Sequence, residues 1–419
     1  MSTRQSTSVG HQGINDPLRT TKHSCSCCWQ HNRMRVAPED VTIPGYDLVK
    51  LSANRIIQVK HVNPKSRDSL FESQMQQFIA QENDVSSNTS PFHQNHSTPG
   101  NSNSTSINDS PSHSASVNYG RTKSAGPTKS NRSPHQTPTR FKRTHTATSV
   151  VVDVPSKVES PSHKASLTTV RDNKEEKPLT IFMLHGVGGS SDVWQAQIDY
   201  FQSRGYELIV PDFLGHGFSS APKEPKAYAF SSLAQDILQI FDKYCKKQSI
   251  LIGHSYGASF ACFLAREREH LVSHLVLISG GSPTPLAPQP GIFQLPVCFL
   301  QCCHPLLKQI FGKHAFQSEK TYVPKEKAFD IPAYVLKYTM VGQKWSEGSF
   351  EYHSSISAST LLIHGEHDQL ICIQDEEEML LAVPGSKLII VSDASHMVIM
   401  EQPEAVNQVI DDFIKEAHS

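Results

Sequence analysis

Residues 250–258 read Ile250-Leu251-Ile252-Gly253-His254-Ser255-Tyr256-Gly257-Ala258. An apolar run enters Gly253, and a helix-compatible stretch leaves Gly257, so a strand that turns sharply into a helix is expected. Gly-x-Ser-x-Gly at such a turn is the pattern of a nucleophile elbow. The serine there takes a strained backbone conformation, and the flanking glycines keep side chains clear of it. The pentapeptide alone is a weak signal, and a Gly-rich turn without chemistry is its plain alternative. The strand before it and the helix after it carry the weight. A serine hydroxyl is a poor nucleophile at its own pKa, so it needs a base and a group to orient that base.

Both partners follow in chain order. Leu361-Leu362-Ile363-His364-Gly365-Glu366-His367-Asp368 puts an acid after one apolar run, and Val391-Ser392-Asp393-Ala394-Ser395-His396 puts a histidine after another. In an open parallel sheet, functional groups gather at the carboxyl ends of the strands. Ser255, Asp368 and His396 are therefore expected on one edge, with His396 taking the Ser255 proton and Asp368 fixing the imidazole tautomer. Glu366, His367 and Asp393 are the nearby competitors. After a run ending at Leu184, His185-Gly186-Val187-Gly188-Gly189 offers main-chain donors. The amides of Val187 and Tyr256 are the expected oxyanion hole, because a tetrahedral intermediate needs preplaced N–H groups. A tight turn with no ligand is the simpler reading of those glycines. This chemistry requires no metal and no organic cofactor.

Working outward, apolar runs at Leu179–Leu184, Glu207–Val210, Ser249–Ile252, His274–Ile278, Thr360–Ile363 and Lys387–Val391 alternate with helical stretches. That predicts an α/β fold with a mostly parallel, doubly wound sheet. About 80 residues separate Ile278 from Thr360, too many for a simple crossover, which predicts an inserted helical cap over about 283–345. Cys303, Leu306, Leu307, Ile310 and Phe311 fall on one helical face, and Pro332 to Met340 forms a second helix. These faces either pack on the body of the domain or line an apolar tunnel, where Phe293, Phe299 and Val335 would suit an acyl chain.

Upstream, Tyr46–Leu51 and Arg55–Val62 flank a turn and predict a β-hairpin within 41–63. A lone hairpin is marginal in water, so it is expected to belong to the sheet of the α/β domain at 177–419. The intervening 64–176 then becomes a long, mostly disordered insertion, because Asn83 to Lys174 is rich in Ser, Thr, Asn, Pro and His. Pro follows Ser110, Ser133, Thr137 and Ser160, so a phosphorylation-controlled partner is an alternative to a plain linker.

The first 170 residues hold 19 Lys+Arg against 11 Asp+Glu, and the remainder 20 against 29, so opposite halves cancel to −1. Overall charge gives no reason to expect nucleic acid as a partner. Nine cysteines, no apolar leader and no run of 18 apolar residues favour a reducing, cytoplasmic setting without a membrane span. The tail at 1–40 contains Cys25, Cys27 and Cys28 beside Trp29, with Lys22, Arg33 and Arg35 close by. S-palmitoylation with peripheral membrane contact, zinc held with His23 and His31, and an unmodified tail are its three readings.

From Leu179 onward the chain resembles the serine α/β-hydrolase family. The motifs that carry the resemblance are HGVGGSSDVW from His185, PDFLGHGFSS from Pro211, GHSYG from Gly253, HGEHD from His364 and SHMVIMEQPE from Ser395. The resemblance implies an α/β-hydrolase fold and gives Asp212 and His216 a role in shaping the loop near the oxyanion hole. Lipid acyltransferase relatives carry His-x4-Asp, whereas His396 here is followed by Glu401, which favours water as the acyl acceptor. Cys372 replaces a proline common four residues after the acid, a change expected to alter loop stiffness. Serine rather than aspartate at 255 argues against epoxide hydrolase or dehalogenase chemistry. The expected function is a serine hydrolase acting on a lipid or other apolar acyl ester. A regulatory scaffold, a thioesterase and a peptidase are the rivals.

Overall fold

The computed structural model describes residues 42–65, 149–152, 179–283 and 291–416. Nine strands form one sheet: β1 (Tyr46–Ser52), β2 (Arg55–Val62), β3 (Ser149–Val152), β4 (Thr180–Leu184), β5 (Glu207–Pro211), β6 (Ser249–His254), β7 (Val272–Ile278), β8 (Ser359–Gly365) and β9 (Lys387–Val391). Their order is β1-β2-β5-β4-β6-β7-β8-β9-β3, with the β1–β2 hairpin joined antiparallel to β5 and every other pairing parallel. All six predicted parallel strands are present.

Helices cover both faces, because a strand that alternates sides must bury both. On β6, Leu251 packs with α2 (Phe230–Tyr244) and α3 (Tyr256–Glu267), through Phe241 and Phe260. Its neighbours Ile250 and Ile252 pack with α1 (Gln195–Gln202) and α9 (Pro403–Glu416), through Phe201 and Ile410. Between β7 and β8 lie the cap helices α4 (Val297–Ala315) and α5 (Ala333–Gly342), followed by the short α6 (Phe350–Ser354). The cap is therefore inserted in the chain just beyond the carboxyl end of β7, while β7 and β8 stay paired in the sheet. After β8 come α7 (Ile373–Ala382) and, beyond β9, the single turn α8 (Val398–Glu401).

One strand was not anticipated. Ser149-Val-Val-Val152, within the insertion expected to be mostly disordered, forms β3 and pairs in parallel register with β9. Three consecutive β-branched valines favour an extended strand, which the polar composition around them obscured. The Cys25, Cys27 and Cys28 cluster and the four Ser-Pro and Thr-Pro sites lie outside the described residues.

Beyond its pairing with β5, the hairpin is tied to α2 by one arginine. Arg55 Nε donates to Asp236 Oδ1 on α2 at 2.7 Å, Nη2 pairs with Oδ2, and the guanidinium also reaches the Ala227 and Ser232 carbonyls at 3.2 Å each. Burial pushes the Asp236 carboxyl up, and the Arg55 hydrogen bonds and charge oppose that. Arg55→Met leaves a buried acid without its partner, so a loss of about 3 kcal/mol is expected. Urea unfolding should show a lower midpoint at constant slope. An unchanged midpoint would mean that the ion pair adds nothing to stability and that the pairing with β5 alone holds the hairpin.

Candidate active site

Three strand ends build the site. Ser255 follows β6 directly, with φ 53° and ψ −125°, and caps α3. Its backbone N–H is held by the Ile278 carbonyl at 2.9 Å, and its carbonyl accepts from Ala258 N at 2.9 Å. The glycines on either side are sterically required. A Cβ on Gly253 would sit 2.6 Å from the Gly257 carbonyl oxygen, and one on Gly257 would overlap the Leu184 carbonyl. Helix α3 is thus pressed against the sheet, and the serine is forced outward at the turn.

Asp368 follows β8 and His396 follows β9. His396 Nδ1 and Asp368 Oδ2 are 2.9 Å apart. Oδ1 of the same carboxyl accepts from the backbone N–H groups of Leu370 and Ile371 at 2.8 and 2.9 Å. Burial alone would raise the Asp368 pKa; His396 and these two N–H groups outweigh it and hold the carboxyl down at about 2. The carboxylate is therefore charged at neutral pH, facing the imidazole. Glu366, His367 and Asp393, the competing groups, are exposed to solvent.

His254 is adjacent but plays another part. Its Nε2–H donates to the His396 carbonyl at 2.9 Å, and burial, followed by the His396 charge, pushes its pKa down to about 3. A neutral ring that spends its proton on the His396 backbone is a brace for that loop. It is not a rival base.

The Gly186–Val187 turn is held in the same way. Phe213 N–H donates to His185 Nε2 at 3.0 Å, which leaves Nδ1–H to donate to the Gly186 carbonyl at 2.8 Å. Burial first, then His216, keeps His185 well below its ordinary pKa. Asp212 accepts from Ser191 N at 2.7 Å and Phe218 N at 2.9 Å, while burial raises its carboxyl to about 6. His216 Nδ1–H donates to the Leu214 carbonyl at 3.0 Å, and burial lowers its pKa to about 4. Among the described residues, no hydrogen bond uses the backbone N–H of Val187 or Tyr256. Both residues line the cavity that contains Ser255 and His396.

That cavity has a volume of about 430 Å³ and is roofed by the cap. Leu307 and Phe311 enter it from α4, Leu336 and Met340 from α5, and Phe293 from the turn before them. Two residues that the tunnel alternative would have placed here lie elsewhere. Phe299 is half exposed on the outer side of α4, and Val335 is fully buried in the core beneath the cap. Helical spacing gives the faces of a helix, but it does not say which face meets the domain.

Sequence reasoning also missed the position of Glu401. Its Oε1 accepts the backbone N–H groups of Gln317 and Ser318, both at 2.6 Å, just beyond the end of α4. Its Oε2 accepts from Ser395 N at 2.8 Å, next to His396. The cap and the histidine loop are tied together there. The only sequence signal was its place five residues after His396, with four residues between them. Among the described residues, no cluster of three or more His, Cys, Asp or Glu side chains could hold a metal, and no helix is long and apolar enough to cross a membrane.

A family profile for the alpha/beta hydrolase fold matches residues 180–297. Protein ABHD8 of Mus musculus and of Homo sapiens are each 41% identical to the chain over 241 residues, which is 56% of this chain. The chain spans 55% of the length of each of these relatives. Epoxide hydrolase 4 of Homo sapiens is 27% identical over 270 residues, covering 57% of this chain and 73% of that protein. Among solved structures, an esterase (EaEST) from Exiguobacterium antarcticum superposes with TM-score 0.50 at 21% identity. It covers 57% of this chain and 92% of its own. That likeness is one of fold.

Proposed function

From the match of residues 180–297 to the alpha/beta hydrolase fold and the shared architecture, we propose that the chain is a serine hydrolase of that family cleaving a lipid or other apolar acyl ester. Ser255 attacks the acyl carbonyl as His396 takes its proton. Asp368 keeps the imidazole in the tautomer with Nδ1–H toward itself and stabilises the imidazolium as it forms. The negative charge that develops on the carbonyl oxygen goes to the Val187 and Tyr256 amides, whose N–H groups have no competing acceptor among the described residues. His396 then protonates the leaving alcohol, and water activated by the same imidazole releases the acid.

The observation that carries this reading is the 2.9 Å contact between His396 and a buried carboxylate, in one apolar cavity with a serine at positive φ. An ester suits the cavity because its walls from α4 and α5 are uncharged. Similarity to proteins named epoxide hydrolase does not redirect the chemistry. Opening an epoxide with a serine hydroxyl would leave an ether on the enzyme, which water does not cleave, whereas acylation leaves an ester that it does.

The test is fluorophosphonate labelling of wild type and Ser255→Ala, followed by an ester series of increasing acyl length. Labelling of wild type alone is expected. If the folded wild type takes no label, the nucleophile is not activated, and the reading yields to a scaffold acting through protein contacts.

A further inference from the structure

Ten large apolar side chains are exposed among the described residues, and six of them lie on the cap or at the cavity mouth: Leu295, Phe299, Leu306, Ile310, Val341 and Leu370. Phe299, Leu306 and Ile310 on α4 are 49%, 56% and 46% exposed. Together with the exposed thiol of Cys302 they follow one another at steps of three or four residues, which makes one continuous helical face. A face of this kind on a water-soluble surface marks an interaction site.

Charge and continuity say what the face meets. From His270 to Ser318 the sequence contains no Asp or Glu, and its only Lys or Arg residues are Lys308 and Lys313. Lys313 is exposed seven residues after Leu306 and so extends the same face. This stands in a domain that is otherwise acidic, with 29 Asp+Glu against 20 Lys+Arg after residue 170. The face also runs into the active-site opening, because Ile310 and Leu370 both line the cavity and are 46% and 39% exposed. A protein seated there would plug that mouth. A lipid surface would deliver an apolar ester straight into it.

We propose that the outer face of α4 docks on an anionic lipid surface, with Phe299, Leu306 and Ile310 entering the interface and Lys313, at the end of the same face, meeting the headgroups. Apolar insertion and a basic flank supply the two contributions that hold a helix in such an interface. The ester-hydrolase reading is needed only for what then enters the cavity; the docking itself does not depend on catalysis.

The experiment uses the full chain made in bacteria, free of lipid modification. Sedimentation with vesicles of phosphatidylcholine and phosphatidylserine is compared for wild type and the double variant Phe299→Glu, Leu306→Glu, neither of which lines the cavity. Wild type should sediment, and the variant should bind at least about tenfold less, since two carboxylates replace two buried apolar groups. Both should take the fluorophosphonate label in buffer, which shows that the variant is folded and its serine reachable. The docking proposal falls if wild type stays in the supernatant, or if the double variant sediments equally well, as it would if the basic first part of the chain did the binding. It also falls if the variant merely dissolves a wild-type dimer that does not bind vesicles. If sedimentation follows the face while neither protein labels, docking stands and the hydrolase reading fails.

Discussion

Asp368→Asn should lower kcat on a soluble ester by on the order of 10³–10⁴-fold with little change in KM. The amide would keep an oxygen for the Leu370 and Ile371 N–H groups, so the loop conformation has no reason to change. Its nitrogen would then face His396 Nδ1, the position now held by Oδ2 at 2.9 Å. A donor there forces the imidazole proton onto Nε2, and Nε2 can no longer receive the proton of Ser255. Rates on a short p-nitrophenyl ester would measure the loss. A fall of less than about tenfold would mean that Asp368 is a structural acid and that the base is oriented by something else.

The same substitution has a pH signature. The folded-state value of Asp368, about 2, lies below its ordinary 3.8, so the charged form stabilises the fold. That contribution, at most about 2 kcal/mol, is fully present above about pH 4 and is lost as the pH falls through 2. The stability difference between wild type and Asp368→Asn should therefore close on acidification, whereas a packing defect would persist at every pH. Urea midpoints at a series of pH values would separate the two.

The sheet was readable because fully buried parallel strands leave uninterrupted apolar runs, and because β6 ends in glycines that only a tight elbow demands. The three candidate residues were readable for the same reason, since each stands directly after such a run. What the sequence did not disclose depends on relations between distant segments. His254 reads as an ordinary variable position of the pentapeptide, yet it braces the His396 carbonyl. Phe299 and Phe311 belong to one helix and look equivalent, yet Phe299 faces out while Phe311 faces Phe329, with ring centroids 4.9 Å apart. β3 was hidden by the polar residues surrounding four that form a strand only when β9 is beside them.

Glu401 is the sharpest of these cases, and its replacement should affect both stability and rate. Its carboxylate serves three backbone N–H groups on two segments, and the geometry extends beyond it: Met397 N–H donates to the Ala315 carbonyl at 3.0 Å, and Ser395 Oγ lies 3.1 Å from the His314 carbonyl. Glu401→Ala strands donors at the end of α4 and beside His396 together. A loss of about 3 kcal/mol is expected, because each unmatched buried donor costs roughly 1–3 kcal/mol and those of Gln317 and Ser318 are only partly buried. The labelling rate of Ser255 should fall by about 10–100-fold, as a misplacement of His396 by about 1 Å would produce. Glu401→Asp is the discriminating variant. It keeps the charge but withdraws the carboxylate by one carbon–carbon bond, about 1.5 Å, so it cannot reach both segments at once. If charge alone mattered, Asp would restore the wild-type rate. If reach matters, Asp should label nearly as slowly as Ala, and the residue that looked like a departure from an acyltransferase motif would be a glutamate because two loops must be spanned.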